Sequence, residues 1–196
     1  KFITFNSSNN GLAADDVGGS LVLISTQTAS SSANLSFTSG IDSTYKEYIF
    51  KFINIHPASD TVNFQINASV DGGSNYNVTK TTTFFLAYHT EDDSATALQY
   101  YANRDLAQST AAQQIVTIGN ANDDSGSGTL HLFDPSNTTF VKNFTSRIVA
   151  PTGEDTENCK DTYAAGYFNT TSAIDAIQFS MSSGNIDSGV IKMYGV

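Results

Sequence analysis

From Thr61 to Val70 the chain reads TVNFQINASV, and every second residue is apolar: Val62, Phe64, Ile66, Ala68 and Val70. Successive side chains of an extended chain point to opposite faces, so this run reads as a strand with one buried and one wet face. DGGSN (71–75) follows, and its glycines supply the positive φ that tight turns require. The same grammar recurs to the C-terminus. LVLIST (21–26), ANLSF (33–37), YKEYIFKFINI (45–55), TTTFFLAYH (81–89), TLHLF (129–133), FVKNFTSRIV (140–149), AAGYF (164–168), AIDAIQFSM (173–181) and GVIKMYG (189–195) are short runs parted by Gly, Asn, Asp and Ser clusters. That spacing predicts an all-β fold: an antiparallel β-sandwich, with a jelly roll the expected form and eight or so main strands.

Two regions depart from the pattern. Residues 1–20, KFITFNSSNNGLAADDVGGS, combine a short apolar start with a Gly/Asn/Asp/Ser-rich stretch and read as an N-terminal arm and linker. The sandwich domain then occupies 21–196. Around 90–120 Ala, Gln and Leu replace Val and Thr, which predicts a short helical or irregular insertion, with DLAQSTAAQQIV as one or two helical turns. In YKEYIFKFINI both faces are apolar toward the middle, as in a long strand entering a core from a wet edge. The core expected from these patterns is Phe64 and Ile66 with Ile49, Ile53, Ile177, Phe179, Ile191 and Met193.

Composition narrows the setting. Charged residues are 14% of the 196, well below the usual quarter, and the net charge is −10 with a pI near 4.4. An acidic chain without a basic face is unsuited to nucleic acid or to an anionic membrane. No apolar window is long enough for a transmembrane helix and no signal peptide is visible. The chain begins at Lys1 rather than Met, which leaves room for an upstream tag, leader or domain. Cys159 is the single cysteine, so no intrachain disulfide forms. It sits among acidic residues in TGEDTENCKD and reads as an unreactive loop thiol.

The chemistry-bearing motifs are few. Acidic clusters occur at Asp15-Asp16, Glu91-Asp92-Asp93, Asp123-Asp124 and Glu154-Asp155 with Glu157. NANDDSGSG (120–128) makes Asp123 and Asp124 the Ca²⁺ candidates, since calcium takes loop carboxylates and carbonyls. The loop lacks EF-hand spacing and its distal Glu, and solvated acidic turns are the plainer expectation. His56, His89 and His131 fall at separate strand ends, outside zinc-ligand spacing, and are expected to pair with backbone. No G-x-S-x-G, P-loop or G-x-G-x-x-G motif is present, and SGSG (125–128) reads as a turn. A glycosidase carboxylate pair leaves no spacing signal. Seven N-x-[ST] sequons, headed by Asn6, Asn34, Asn67, Asn77, Asn137, Asn143 and Asn169, follow from the Asn/Ser/Thr content. Tyr-rich TTTFFLAYH, LQYYANRD and AAGYFNTTSAIDAIQF read first as core and rim, and second as an aromatic surface for a glycan or partner. No catalytic or cofactor-binding residue is assigned.

Beyond single motifs, the stretch ISTQTASSSANLSFTSGIDSTYKEYIFKFINIHPASDTVNFQINASVDGGSNY and the ending GYFNTTSAIDAIQFSMSSGNIDSGVIKMYGV resemble a family of small marine phage proteins and phage-protein C-terminal domains. DLAQSTAAQ and LFDPSNTTFVKNF resemble that group as well, so the likeness spans residues 21–196. It implies a virion component, either a tail or fibre part or a capsid-surface decoration, made in the host cytoplasm and carried on the extracellular particle. It implies no catalytic residues and no cofactor. The expected partners are further copies of the chain, with a trimer first, other virion proteins and a host-surface glycan. The alternative expectation is a carbohydrate- or receptor-binding module using an end loop or aromatic face. A glycan-active hydrolase is the remote one.

Overall fold

The computed structural model describes residues 2–5, 12–15, 21–151 and 158–196. Its elements are β1 (Phe2–Phe5), β2 (Leu12–Asp15), β3 (Val22–Ser32), β4 (Asn34–Phe37), β5 (Glu47–Pro57), β6 (Val62–Ser69), β7 (Lys80–Thr90), β8 (Thr96–Tyr100), a 3-10 turn (Ala102–Arg104), β9 (Gln113–Ile118), β10 (Gly126–Phe133), β11 (Lys142–Pro151), β12 (Asn158–Phe168), β13 (Ala176–Met181) and β14 (Ile186–Gly195). The expected all-β antiparallel sandwich is what forms. An eight-stranded sheet, in the order β3-β14-β5-β10-β11-β12-β7-β8, and a four-stranded sheet, β4-β13-β6-β9, enclose one core. β1 and β2 pair with each other as a separate two-stranded sheet, so LAAD, read as linker, is a strand. Among the described residues no helix is long and apolar enough to cross a membrane.

The pairing is nested. β3 pairs with β14, β4 with β13, β5 with β10 and β6 with β9. The chain thus doubles back on itself as one long hairpin, and the β14·β5 and β13·β6 pairings roll that hairpin into two sheets. β7 and β8 are inserted between β6 and β9, and β11 and β12 between β10 and β13. These four strands extend the larger sheet.

Phe179 stands at the centre of the core. Phe37, Phe50, Phe52 and Phe64 surround it with ring centroids 5.1–6.2 Å away. Phe64, Ile66, Ile177, Phe179, Ile191 and Met193 are buried as expected. Ile49 and Ile53 are not: Ile49 is half-buried and Ile53 is 42% exposed. β5 turns Tyr48, Phe50 and Phe52 inward instead. At Asn54 (φ 50°) the register with β14 shifts, and beyond it Ile55 and Pro57 are buried. One extra residue inverts a period-2 pattern, so the strand changes face midway. Gly189 (φ +125°) lies against this bulge, where a Cβ would stand 2.7 Å from the Asn54 carbonyl oxygen. Val70, read as the last inward residue of its run, lies past the end of β6 and is 41% exposed.

DLAQSTAAQQIV is not helical. Ser109 exchanges backbone hydrogen bonds with Lys80 at 2.9 and 3.0 Å, and Gln113 opens β9, whose Ile115, Val116 and Ile118 are buried. Sheet pairing supplies what a two-turn helix would have to supply alone, and short isolated helices are marginal. The helical element of this region is the 3-10 turn at Ala102–Arg104.

The turn motifs lock the two sheets together. In SGIDSTY the Tyr48 hydroxyl donates to the Asp42 carbonyl (3.0 Å), and the Asp42 carboxylate accepts the Thr44 N–H (2.8 Å). The Tyr45 ring lies on Gly195 in the C-terminal strand, where a Cβ would meet the ring at 2.3 Å. In DGGSNY the Gly72 N–H donates to the Asp175 carboxylate of SAIDAI (3.0 Å). In SGNIDSG the Asn185 carbonyl accepts the Ala58 N–H (3.0 Å).

Candidate functional site

The acidic loop between β9 and β10 is closed by its own backbone. Asp124 is buried, and its Oδ2 accepts the Ala121 N–H at 3.3 Å. It folds so tightly over Gly119 that a Cβ there would lie 2.1 Å from Oδ2. Asp60 accepts the Asn120 N–H (3.1 Å), while Asp123 is exposed at the rim of a cavity of about 220 Å³ shared with Asn54 and His56. Among the described residues no group of three or more His, Cys, Asp or Glu is arranged to hold a metal ion. The Glu91–Asp93 cluster is the β7–β8 turn, where the Ser94 hydroxyl first, and then the Ser94 N–H that Asp92 accepts at 3.0 Å, lower the Asp92 carboxyl pKa. Asp16 and the cluster Glu154, Asp155 and Glu157 lie outside the described residues.

The histidines are far apart, and two of them pair with carboxylates rather than backbone. His131 Nδ1 is 2.5 Å from Glu47 Oε1 and His89 Nε2 is 2.9 Å from Asp93 Oδ1. His56 Nε2 meets the Ala121 carbonyl oxygen at 3.1 Å, as expected. His131 lies within β10 rather than at a strand end. Cys159 is exposed, but it belongs to strand β12, opposite His89 and Pro151, and not to a loop.

The three aromatic segments are brought together. TTTFFLAYH forms β7, AAGYF ends β12, and LQYY ends β8, and these strands are neighbours in the order β12-β7-β8. Alternation divides their side chains between two faces. Phe84, Leu86, Ala164 and Phe168 point into the core, beside two buried lysines, Lys80 and Lys142, that flank Phe168 in register. Lys80 Nζ donates to the Ala111 carbonyl (2.6 Å), and Lys142 Nζ to those of Phe140 (3.0 Å) and Thr170 (3.1 Å). Burial lowers the Lys80 ammonium to about 8.

The opposite face carries cross-strand rows. In one, Tyr100, Phe85, Tyr163, Arg147, Thr129, Lys51 and Lys192 align across seven strands. Phe85 and Tyr163 stack in parallel at 4.9 Å, and the Arg147 guanidinium covers Tyr163 at 5.3 Å while pairing with Asp161 at 2.7 Å. That ion pair and the Tyr163 hydroxyl lower the Asp161 carboxyl pKa, with the guanidinium as the larger cause. In the next row toward the C-terminal end of β12, Thr83, Ala165 and Thr145 are aligned, and beyond them Thr81, Tyr167 and Asn143. The middle row is low and the flanking rows are high. A depression of about 380 Å³ results, lined by Thr81, Thr83, Asn143, Ala165, Gly166 and Tyr167. Its end wall is hydrogen-bonded: Gln108 Nε2 donates to Thr81 Oγ1 (2.9 Å) and to the Tyr167 hydroxyl (3.4 Å), and Asn169 Nδ2 donates to Gln108 Oε1 (2.6 Å). Sequence reasoning singled out the tyrosine-bearing segments but not this depression, whose walls join β7 to the consecutive strands β11 and β12 far along the chain. No family model matches the chain, and no curated protein or solved structure matches it either.

Proposed function

We propose that this chain is a non-enzymatic structural protein of a bacteriophage particle, a tail or fibre component or a capsid-surface decoration, that acts through its surfaces as a homo-oligomer, a trimer first. We read the nested strand pairing as a jelly roll, a fold suited to repeated display because its ends and outer faces are free to vary. One observation carries the reading. The segments by which the sequence resembles phage proteins interlock: SGIDSTY lies on the C-terminal YG through Tyr45 and Gly195, and DGGSNY donates to SAIDAI through Gly72 and Asp175. Residues of these four segments hold loops and registers in place, which supports a scaffold role.

We assign the subunit contact to edge strand β3, whose start leaves Leu21, Val22 and Leu23 41–50% exposed beside a strand edge that is unpaired among the described residues. Residues 1–20, with the β1–β2 hairpin, are proposed as the arm that docks on the particle or a neighbouring subunit. Mass spectrometry of density-gradient fractions from an infected culture tests the assignment. The chain is expected to co-sediment with the particle peak. A chain confined to the soluble fractions overturns the reading.

A further inference from the structure

We propose that the depression over Ala165 binds a short neutral oligosaccharide, with the Tyr167 ring as its stacking plate. The rings of this region differ in what covers them. Tyr163 is covered on its two faces by Phe85 and Arg147, and Phe168 packs inside on Phe144. Tyr167 stands instead between Thr81 and Asn143, neither of which is a ring, and among the described residues no other ring packs on it. A tyrosine presents an apolar face and a polar tip, which suits the C–H face of a sugar ring and its hydroxyls together.

The lining fits the same ligand. Thr81, Thr83 and Asn143 each carry groups that both donate and accept, as sugar hydroxyls do. Ala165 and Gly166 form an apolar floor without side-chain bulk. At about 380 Å³ the depression sits at the small end of the ~300–1,000 Å³ typical of ligand sites, so a short saccharide fits and a long chain would run beyond it. The walls are fixed in advance, because Gln108 and Asn169 hold the Thr81 hydroxyl and the Tyr167 tip through the bonds described above.

Charge selects against anionic ligands. None of the lining residues is an acid or a base, and the chain as a whole carries −10, which repels uronic and sialic acids at long range. Two other surface cavities differ in this respect. The one beside Cys159 has His89 and Glu91 in its wall, and the one at the 120–125 loop has His56, Asp123 and Asp124.

Saturation-transfer NMR and titration of the full chain with maltotriose, cellotriose, mannotriose and fully N-acetylated chitotriose, with trigalacturonate as the anionic comparator, test the site. At least one neutral trisaccharide is expected to bind, and trigalacturonate to bind more weakly. Ala165→Leu, which fills the depression, and Tyr167→Ala, which removes the plate, are each expected to weaken binding about tenfold or more. Lys192→Ala, on the same face but four strands away, leaves it unchanged. Asn143→Ala, at an exposed position, provides the same readout should either of the first two variants fail to fold. No binding of any neutral trisaccharide up to about 10 mM, equal binding of trigalacturonate, or binding that survives the folded variants overturns the proposal. The site stands apart from the virion assignment: absence from particles leaves the binding result intact, and a particle-borne chain without saccharide affinity overturns the site alone.

Discussion

Phe179→Ala is the perturbation that the core geometry makes most costly. The ring is fully buried between the two sheets and touches four other phenylalanine rings, edge-on to Phe37, Phe50 and Phe52 and stacked on Phe64. Truncating a buried Phe costs about 3–5 kcal/mol through lost transfer and the cavity left behind. Aromatic pairs add about 0.5–1.5 kcal/mol each beyond area, and the four pairs share one ring, so they do not sum. The expected loss is therefore about 4–5 kcal/mol, a large fraction of a typical domain stability of about 5–15 kcal/mol. Guanidinium unfolding at 25 °C measures it. With a slope of about 4 kcal/mol/M the midpoint should fall by about 1 M. Ile53→Ala, on the outer face of β5, is expected to cost no more than about 1 kcal/mol. A midpoint shift for Phe179→Ala below about 0.3 M, or a larger one for Ile53→Ala, refutes the register and the bulge at Asn54.

Lys80→Met tests the buried ammonium: the gap between 10.5 and about 8, at 1.36 kcal/mol per pH unit, sets an upper scale of about 3 kcal/mol. Below pH 8 both folded and unfolded chains hold the proton and the burial cost is fully present, while between 8 and 10.5 only the unfolded chain holds it, so stability rises. The variant should be more stable than the parent at pH 7, with the difference shrinking by pH 10, and an advantage that ignores pH contradicts the account. Asp71 is held down to about 2 by the Asn75 side chain, the Ser69 hydroxyl and the Asn75 N–H, so it contributes stability above pH 3.8 that is lost as pH falls toward 2. Asp71→Asn should flatten that acid limb in thermal melts, and an unchanged limb would show that the turn gains nothing from the charge.

Much of the fold is legible because period-2 alternation is local. TVNFQINASV gives the inward set Val62, Phe64, Ile66 and Ala68 directly, since its other face is polar in sequence, although Asn63 and Gln65 are half-buried and Asn67 and Ser69 buried in the fold. YKEYIFKFINI is ambiguous because both faces are apolar, and a bulge then changes the face; Asn tolerates the positive φ at position 54, but nothing nearby demands it. QQIVTI looks like the end of a helical stretch only while its partner is unknown, and that partner, β6, lies some fifty residues upstream. The candidate site was half legible. The tyrosine segments stand out in composition, yet that Tyr163 is covered depends on Phe85 and Arg147 arriving from neighbouring strands. The His89–Asp93 and His131–Glu47 pairs differ in the same way, the first being a readable i, i+4 contact and the second a product of sheet pairing.

The virion assignment is tested most directly by gold-labelled Fab fragments raised against the folded chain and applied to intact, purified particles under the electron microscope. The account predicts label at a fixed position on the particle surface, in clusters consistent with a three-fold assembly. Intact particles that take no label, from a lysate in which the same Fab detects the chain, would contradict it.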